Sequence, residues 1–327
     1  MTMKYHQLRA FLSVVEQGSI RAAARSLFLS QAALTKAIKE LEQDLGVPLI
    51  VRTTRGVQLT AFGQQLRVRA KLVVSEMRRA EDDIVQMKGA GSGSVSAAIT
   101  PTAALSVLPQ AYAMFRREMP QAKVSFIEGF PGVALPRLRD GSLDLVVAVI
   151  MASQLSAEFD YVPLYESHSV IVARKDHPLR HATRLADLAD AEWLLNPSPE
   201  STTQALLDIF TQHGLPRPQR VIECPSFVIA HGLLRESEAL ASMPRSLLDH
   251  EWVGEGLAVL PVEDALPVSS VGVVTRRDSP LTPAATVFLD CLQRVVRERH
   301  AASALGDKDQ KAKASRSPIR IQQSTRP

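Results

Sequence analysis

The chain has 327 residues, of which 46% are apolar and two are cysteines. This length exceeds one ordinary hydrophobic core and indicates two or three domains, while the apolar fraction excludes wholesale disorder. The longest apolar run, residues 145–152, is too short to cross a bilayer, and Glu16 and Gln17 interrupt the N-terminal apolar stretch, unlike a signal peptide. Cys224 and Cys291 form no disulfide framework. We therefore expect a soluble, cytoplasmic, multidomain protein.

The net charge of +4 conceals three blocks of different charge. Residues 1–88 carry +6, residues 89–300 carry −6 and residues 301–327 carry +4. A basic module joined to an acidic body indicates that the N-terminal block contacts a polyanion, although such fluctuations also occur on ordinary solvated surfaces. The charge asymmetry therefore needs a supporting motif.

The first 60 residues predict three short helices followed by a basic hairpin. Apolar residues at helical spacing define the first helix, which Gly18 ends. Ser19 and Ser30 are suitable N-caps for the second and third helices, and Gly46 ends the third. The buried stripe of the third helix is Leu34, Ile38, Leu41 and Leu45. With the hairpin of residues 49–59, this order predicts a winged helix-turn-helix.

The exposed face of the third helix carries small and polar side chains, which a helix needs to approach base edges in the major groove. Gln31 suits adenine, and Thr35 suits a thymine methyl group or a phosphate. Ser30 can cap the third helix and leave free N–H groups at the helix start, which can bind a phosphate. The arginines at the hairpin tip suit the minor groove. The predicted DNA contacts are Ser30, Gln31, Ala32, Thr35, Lys36, Lys39, Arg52 and Arg55.

Residues 61–88 predict one long helix that pairs with another chain. Its apolar residues are spaced alternately four and three positions apart, which is typical of a coiled-coil seam. They are Leu66, Ala70, Val73, Met77, Ala80, Ile84 and Met87. A helix with one uncovered seam needs a partner, and the alternative is an ordinary amphipathic helix packed on its own domain. The glycine- and serine-rich residues 89–94 predict a flexible hinge.

Residues 95–300 alternate strand and helix patterns, which predicts two α/β lobes with parallel or mixed sheets. The candidate strands are residues 95–100, 123–127, 145–150, 169–173, 221–223, 239–243 and 268–274. The candidate helices are residues 103–119, 133–139, 202–213, 227–236 and 282–300. Residues 301–327 lack apolar periodicity and predict a disordered basic tail.

Six segments of the N-terminal module carry a family resemblance. They are Leu8-x-x-Phe11, Gly18-Ser19-Ile20-x-Ala22-Ala23-Ala24, Leu29-Ser30-Gln31-x-Ala33-Leu34-Thr35, Ile38-x-x-Leu41-Glu42, Leu45-Gly46-x-x-Leu49 and Arg52-x-x-Arg55-Gly56-Val57-x-Leu59-Thr60-x-x-Gly63. Together they resemble the LysR-type transcriptional regulators. One departure is Ala32, where the family usually has proline; its loss is expected to loosen the start of the recognition helix slightly.

The resemblance implies a homotetramer built as a dimer of dimers and paired through linker helices. It also implies an effector domain (95–300) resembling a type-2 periplasmic binding protein, with a small-molecule effector in a cleft between two lobes. The expected crossovers are residues 161–164 and 266–268. Lobe I is then residues 95–161 and 269–300, and lobe II is residues 165–265. The partners would be promoter DNA, the effector and, for an activator, RNA polymerase; no cofactor, metal, membrane or catalytic residue is expected.

The effector contacts are predicted at strand C-termini and helix N-termini, where free N–H groups face an anion. Hydroxyl groups there suit a carboxylate or sulfonate, and phenylalanines suit a ring. The predicted contacts are Thr100, Thr102, Phe130, Met151, Ser201, Thr202, Ser226 and Phe227. The alternative is that each serine or threonine merely caps its helix.

No enzyme motif is present to compete with this interpretation. The histidines lack metal-ligand spacing, no G-x-S-x-G elbow occurs, and the glycines of residues 89–93 follow a helix rather than a strand. Cys224 is either a redox switch or a buried inert thiol. A secreted solute-binding protein would not use the basic hairpin, and a DNA-architectural protein would not need the acidic body.

Overall fold

The computed structural model describes residues 3–53, 56–87, 92–150, 155–197 and 202–314. The chain begins with α1 (Tyr5–Gln17), α2 (Ile20–Ser26) and α3 (Gln31–Leu45). The hairpin of β1 (Ile50–Thr53) and β2 (Gly56–Leu59) and the long helix α4 (Ala61–Met87) follow. The predicted helix ends at Gly18 and Gly46 are confirmed, since both glycines have the left-handed backbone that ends a helix, with φ of 62° and 72°.

The first three helices pack around one small core. Phe11 of α1 and Leu34 and Leu41 of α3 are fully buried there. Gly63 lets the first turn of α4 pass against Leu49, just before β1, because a Cβ atom at this position would lie 2.1 Å from the Leu49 carbonyl oxygen. The hairpin, α4 and the helix-turn-helix therefore form one packed unit.

The predicted seam of α4 is wrong in its first part. Leu66 and Ala70 pack into the core of the N-terminal domain, because α4 lies against α1 there. Beyond this contact, Val73, Met77 and Ile84 are exposed. The part of the seam that a second chain could cover therefore starts at Val73 rather than at Leu66. The Met87 side chain lies outside the described residues.

Polar side chains of α4 join it to the C-terminal domain. Arg79 is buried, and its Nη2 donates to Asp144 Oδ1 at 2.8 Å while its Nη1 donates to Ser279 Oγ at 2.8 Å. The other Asp144 oxygen accepts from the backbone N–H of Ser96 at 2.7 Å. Lys71 pairs with Asp140 at 3.1 Å on the same side of the helix. We call Arg79, Asp144, Ser96 and Ser279 the polar lock.

The described residues of the C-terminal domain form nine strands in two lobes joined through β6. Lobe I has the strand order β4-β3-β5-β11-β6, and lobe II has the order β6-β9-β7-β8 with β10 also paired to β6. The strands are β3 (Ser94–Ile99), β4 (Lys123–Glu128), β5 (Leu145–Val149), β6 (Phe159–Arg174), β7 (Glu192–Leu195), β8 (Arg220–Glu223), β9 (Ala239–Pro244), β10 (Leu257–Val259) and β11 (Val268–Arg276).

Helices cover these sheets and place their N-termini after the strands. They are α5 (Pro101–Ser106), α6 (Leu108–Glu118), α7 (Pro131–Arg139), α8 (Thr202–Gln212), α9 (Phe227–Glu236), α10 (Glu251–Gly254) and α11 (Pro283–Ala314). The 3-10 turn Arg245–Leu247 follows β9. Among the described residues, no helix is long and apolar enough to span a membrane.

The first crossover lies later than predicted. β6 pairs with β11 from Phe159 to His168 and pairs with β9 only from Ser169 onward. The expected crossover at residues 161–164 is therefore wrong, because a single continuous strand serves both sheets and its sequence has no break at the lobe boundary. β11 begins at Val268, next to the second expected crossover.

Four further elements differ from the sequence-based prediction. The expected helix 103–119 is split at Val107, because Pro109 removes a backbone donor and disfavours continuation through the preceding turn. The short strands β7 and β10, of four and three residues, were not predicted from the sequence. α11 continues to Ala314, so the prediction of a disordered tail is wrong for residues 301–314, where alanine and lysine favour a helix. Residues 315–327 lie outside the described part.

Candidate functional site

The outer face of α3 has the exposed side chains that the sequence predicts. Gln31, Ala32, Lys36 and Lys39 are exposed and Thr35 is half-buried, while the opposite face is buried in the core. Lys36 lies 3.8 Å from Glu40, a loose surface pair that leaves its ammonium group free to move to a phosphate. The helix therefore presents a continuous polar and basic surface.

Two hydrogen-bond groups fix the position of α3. Ser30 caps the helix by accepting from the Ala33 N–H at 3.1 Å. Glu42, at the other end, accepts from the N–H groups of Leu49 and Ile50 at 2.8 and 3.2 Å, which ties the helix to the hairpin. Arg52 on that hairpin is exposed, and Arg55 lies outside the described residues.

The turn before α3 contains a residue that the sequence analysis missed. Phe28 is 96% exposed and has a left-handed backbone with φ of 55°, which is unusual for an aromatic residue. Nothing in its sequence position distinguishes it from a core phenylalanine.

A cleft of about 150 Å³ lies between the lobes, and the N-termini of α5, α7, α8 and α9 all face it. Of the predicted effector contacts, the structure brings six to its lining: Thr100, Thr102, Phe130, Thr202, Ser226 and Phe227. Met151 and Ser201 lie outside the described residues. Because these six come from four separate helix starts, the lobes together form the cleft.

The hydroxyl groups of the cleft differ in what they already bind. Thr100 donates to the Val147 carbonyl oxygen at 3.3 Å, and Ser226 accepts from the Ile229 N–H at 3.4 Å as an N-cap. Among the described residues, no hydrogen bond involves the Thr102 hydroxyl. The capping alternative therefore holds for Ser226, while the Thr102 hydroxyl caps no helix within the described part of the chain.

The cleft contains no lysine, arginine, aspartate or glutamate among its described lining residues. The helix N-termini that face it carry a partial positive charge on their free N–H groups. Phe227 and His231 stack with ring centroids 6.1 Å apart, and Trp252 packs edge-on against both. The cleft therefore combines an aromatic wall with backbone donors.

The sequence analysis missed several lining residues. His231 is buried, and its Nε2 lies 3.0 Å from the Val253 carbonyl oxygen. It was considered only as a metal ligand, although its position one helical turn after Phe227 could have placed it in the cleft. Asn196 and Thr203 also line the cleft, where the Asn196 N–H donates to Thr203 Oγ1 at 3.1 Å.

The cysteines have different environments. Cys224 lines the cleft and its thiol donates to the Ser226 carbonyl oxygen at 3.3 Å. Burial raises the pKa of the Cys291 thiol to about 11, which leaves it protonated and unreactive at neutral pH. Among the described residues, no group of three or more histidine, cysteine or acidic side chains is placed to hold a metal ion.

Comparison with known families assigns both parts of the chain. Residues 5–64 match the bacterial regulatory helix-turn-helix model of the lysR family, and residues 88–297 match the LysR substrate binding domain. The chain belongs to the LysR family of transcriptional regulators. It is a DNA-binding, ligand-responsive regulator, with the basic surface of α3 in the first domain and the cleft in the second.

Relatives and solved structures agree with this assignment. The HTH-type transcriptional regulator PcaQ of Agrobacterium fabrum is 31% identical over 308 residues, covering 93% of this chain and 97% of that protein. GalR of Pseudomonas putida is 29% identical over 296 residues, covering 90% and 74%. CbnR, solved with its target DNA, has a TM-score of 0.66 at 23% identity and covers 90% of this chain and all of its own. A full-length OxyR from Pseudomonas aeruginosa has a TM-score of 0.68 at 20% identity, covering 90% and 95%.

Proposed function

We propose that the effector of this LysR regulator is a small organic anion with one carboxylate or sulfonate and an apolar or aromatic body. The observation that supports this is the combination of four helix N-termini with no charged side chain among the described lining residues. An anion is favoured by the helix ends, and a second charge would find no counter-ion. The ring of such a ligand would lie against Phe130 and Phe227.

We also propose that α3 lies in the major groove of the DNA. Gln31 and Thr35 would read base edges, while Lys36, Lys39 and the Ser30 end of the helix would bind phosphates. Arg52, with Arg55, would enter the flanking minor groove, where narrow A/T-rich DNA attracts arginine. Two such helices of a dimer would occupy successive major grooves of an interrupted palindrome.

The proposed assembly is a dimer of dimers. The exposed apolar residues Val73, Met77 and Ile84 of α4 support pairing through this helix, because water contact with such a stripe is unfavourable. A second exposed stripe, Val228, Ile229 and Leu233 of α9, supports the additional contact that a tetramer requires. RNA polymerase would be a further partner if the protein activates transcription.

Signal transfer would use the polar lock. Because Arg79 joins α4 to Asp144 of lobe I, α4 and lobe I would move together, and effector binding would change the position of lobe II relative to both. The tetramer would then change its geometry and the bend of the DNA. No catalytic role is proposed, and the site of action is the cytoplasm, where the promoter lies.

A thermal-shift screen of small organic acids tests the effector proposal, because a ligand that binds only the native state raises Tm. Monocarboxylates and monosulfonates with a ring or branched body should raise Tm, and their neutral amides should not. The hits should change the footprint of the full-length protein on its own promoter. If dicarboxylates or cations stabilise the protein best, the proposed effector class is wrong.

A further inference from the structure

The described residues include two buried histidines, which make the same contact through one ring nitrogen. The Nε2 atom of His177 lies 2.9 Å from the Glu238 carbonyl oxygen, and the Nε2 atom of His231 lies 3.0 Å from the Val253 carbonyl oxygen. A carbonyl oxygen only accepts hydrogen bonds, so Nε2 carries the hydrogen atom in both rings. In a neutral imidazole, Nδ1 is then an acceptor that needs a donor.

The two histidines differ in the partner of this second nitrogen. The Leu179 N–H donates to His177 Nδ1 at 3.0 Å, so both nitrogens of His177 are hydrogen-bonded. The Nδ1 atom of His231 makes no hydrogen bond to any described residue, although His231 is only 7% exposed. Buried polar atoms are nearly always hydrogen-bonded, so His231 Nδ1 requires a donor from solvent or from a ligand.

The unpaired nitrogen belongs to the effector cleft. His231 is one of the described lining residues of the cleft, whereas neither His177 nor Val253 is. The two nitrogens of an imidazole point to nearly opposite sides of the ring, so Nδ1 points away from Val253. Because the Phe227 ring stacks on His231, a ligand ring that packs against Phe227 lies next to the imidazole.

The helix N-termini and His231 Nδ1 require opposite hydrogen-bond partners. Free N–H groups at the helix starts donate, and an ionised carboxylate or sulfonate accepts from them. The same acid group has no hydrogen atom to give to Nδ1. A simple acid that fills the cleft would therefore displace water from Nδ1 without replacing its hydrogen bond, which is unfavourable.

A hydroxyl group supplies this hydrogen bond better than an ammonium group. The described lining of the cleft has no aspartate or glutamate, so an ammonium group would have no counter-ion there. The same lining disfavours a positively charged imidazole at His231, which keeps Nδ1 an acceptor. A hydroxyl group is neutral and donates one hydrogen atom.

We propose that the effector carries a hydroxyl group besides its acid group, and that this hydroxyl donates to His231 Nδ1. The inference rests on the proposed effector class and narrows it to hydroxy acids. The acid group binds the helix N-termini, the ring packs against Phe227, and His231 selects the hydroxylated ligand.

Isothermal titration calorimetry of the full-length protein tests the proposal with benzoate, the 3- and 4-hydroxybenzoates and the 3- and 4-methoxybenzoates. A methoxy group keeps the oxygen atom but has no hydrogen atom to donate. At least one hydroxybenzoate should bind about tenfold more tightly than benzoate and than its methoxy counterpart, because the other acids leave a buried acceptor unpaired.

Two substitutions separate the ring nitrogens of His231. In His231→Gln, the glutamine Nε2 can still donate to Val253, but no acceptor remains at the position of Nδ1. The preference for the hydroxyl group should then fall to within about twofold. His231→Asn places an amide oxygen near the position of Nδ1 and should keep part of the preference.

His177→Gln is the matched control, because it makes the same change in a buried histidine outside the described cleft lining. It should leave the affinities for all five acids unchanged. Circular dichroism checks the fold of each variant. If a variant is unfolded, the comparison of hydroxy and methoxy acids on the wild type still decides the proposal.

The hydroxyl proposal is wrong if neither hydroxybenzoate is preferred, or if the preference survives in His231→Gln. It is also wrong if His231→Gln weakens benzoate and the hydroxybenzoates alike, because His231 would then bind the acid group. In these cases the benzoates still bind and the proposed effector class stands. If no benzoate binds, the hydroxyl proposal fails, and the thermal-shift screen shows separately whether the effector class fails with it.

Discussion

The DNA-facing surface proposed for α3 and the proposed effector cleft would bind their ligands through opposite physical means. The surface of α3 is exposed and basic, so its affinity for DNA is expected to come from charge and to fall with salt. The cleft is enclosed and its described lining has no charged side chain, so its affinity comes from apolar burial and fixed backbone dipoles, which salt screens less. The difference teaches that DNA affinity and effector affinity can be changed separately by substitutions at each site. The response of DNA binding to the effector then depends on the polar lock that joins α4 to lobe I.

The largest effect is expected when the polar lock is broken. Arg79→Met removes one partner of the buried pair with Asp144 and leaves its carboxylate uncompensated, which costs about 3–5 kcal/mol of unfolding free energy. Arg78→Met is the matched control, because Arg78 is the exposed neighbour on the same helix and its loss costs less than about 0.5 kcal/mol. Urea unfolding measures both.

The double variant Arg79→Met/Asp144→Asn sharpens this test. It removes the buried Asp144 charge that Arg79→Met leaves unpaired, so part of the lost unfolding free energy should return. The effect of the effector on DNA affinity should stay weakened. Equal stability of Arg79→Met and Arg78→Met would show that the polar lock does not hold the two domains together.

The next effect concerns assembly through α4. Val73→Asp places a charge in the exposed stripe and should dissociate the dimer, because burying an unpaired carboxylate costs several kcal/mol. Val68→Asp is the control, since Val68 is equally exposed, at 48% against 46%, but lies on a different face of the helix. Analytical ultracentrifugation should show a smaller species only for Val73→Asp. An unchanged assembly in both variants would exclude α4 as the dimer contact.

The exposed and buried faces of α3 were predictable because they follow from local sequence. The cap at Ser30, the buried stripe through Leu34 and the exposed position of Gln31 all depend on helix periodicity within one short segment. The same periodicity failed for Leu66 and Ala70, since it identifies an apolar face but not the chain that covers it.

The cleft was only partly predictable because distant segments form it. Helix starts could be located from strand–helix alternation, and two of the residues found in this way, Thr102 and Phe227, line the cleft. Asn196 could not be assigned, because its position in the cleft depends on how the lobes meet, whereas the helical spacing of His231 from Phe227 was a signal that could have been used. The crossover was misplaced for the same reason, since the change of partner at Ser169 leaves no mark in the sequence of β6.

A smaller effect tests the cleft. Thr102→Val keeps the side-chain volume and removes one hydroxyl group. Loss of a hydrogen bond to a charged ligand costs roughly 1.5–3 kcal/mol, about ten- to a hundredfold in effector affinity. A reporter strain titrated with the effector should show a dose–response curve shifted to higher concentration with unchanged uninduced output. An unshifted curve would place the anion elsewhere, and the start of α8 at Thr202 is the next candidate.

The smallest effect separates base reading from charge on the DNA-facing surface. Gln31→Ala should weaken specific binding by about 1–3 kcal/mol and relax the preference at one base pair, while non-specific binding stays nearly unchanged. Lys39→Gln is the matched comparison on the same exposed face, and it should weaken all sequences alike and lower the salt dependence by about one phosphate contact. Binding titrations at several salt concentrations, with the operator and with random DNA, distinguish the two. If Gln31→Ala weakens both DNAs equally, Gln31 contacts the backbone, and base reading must come from Thr35 or from the exposed ring of Phe28.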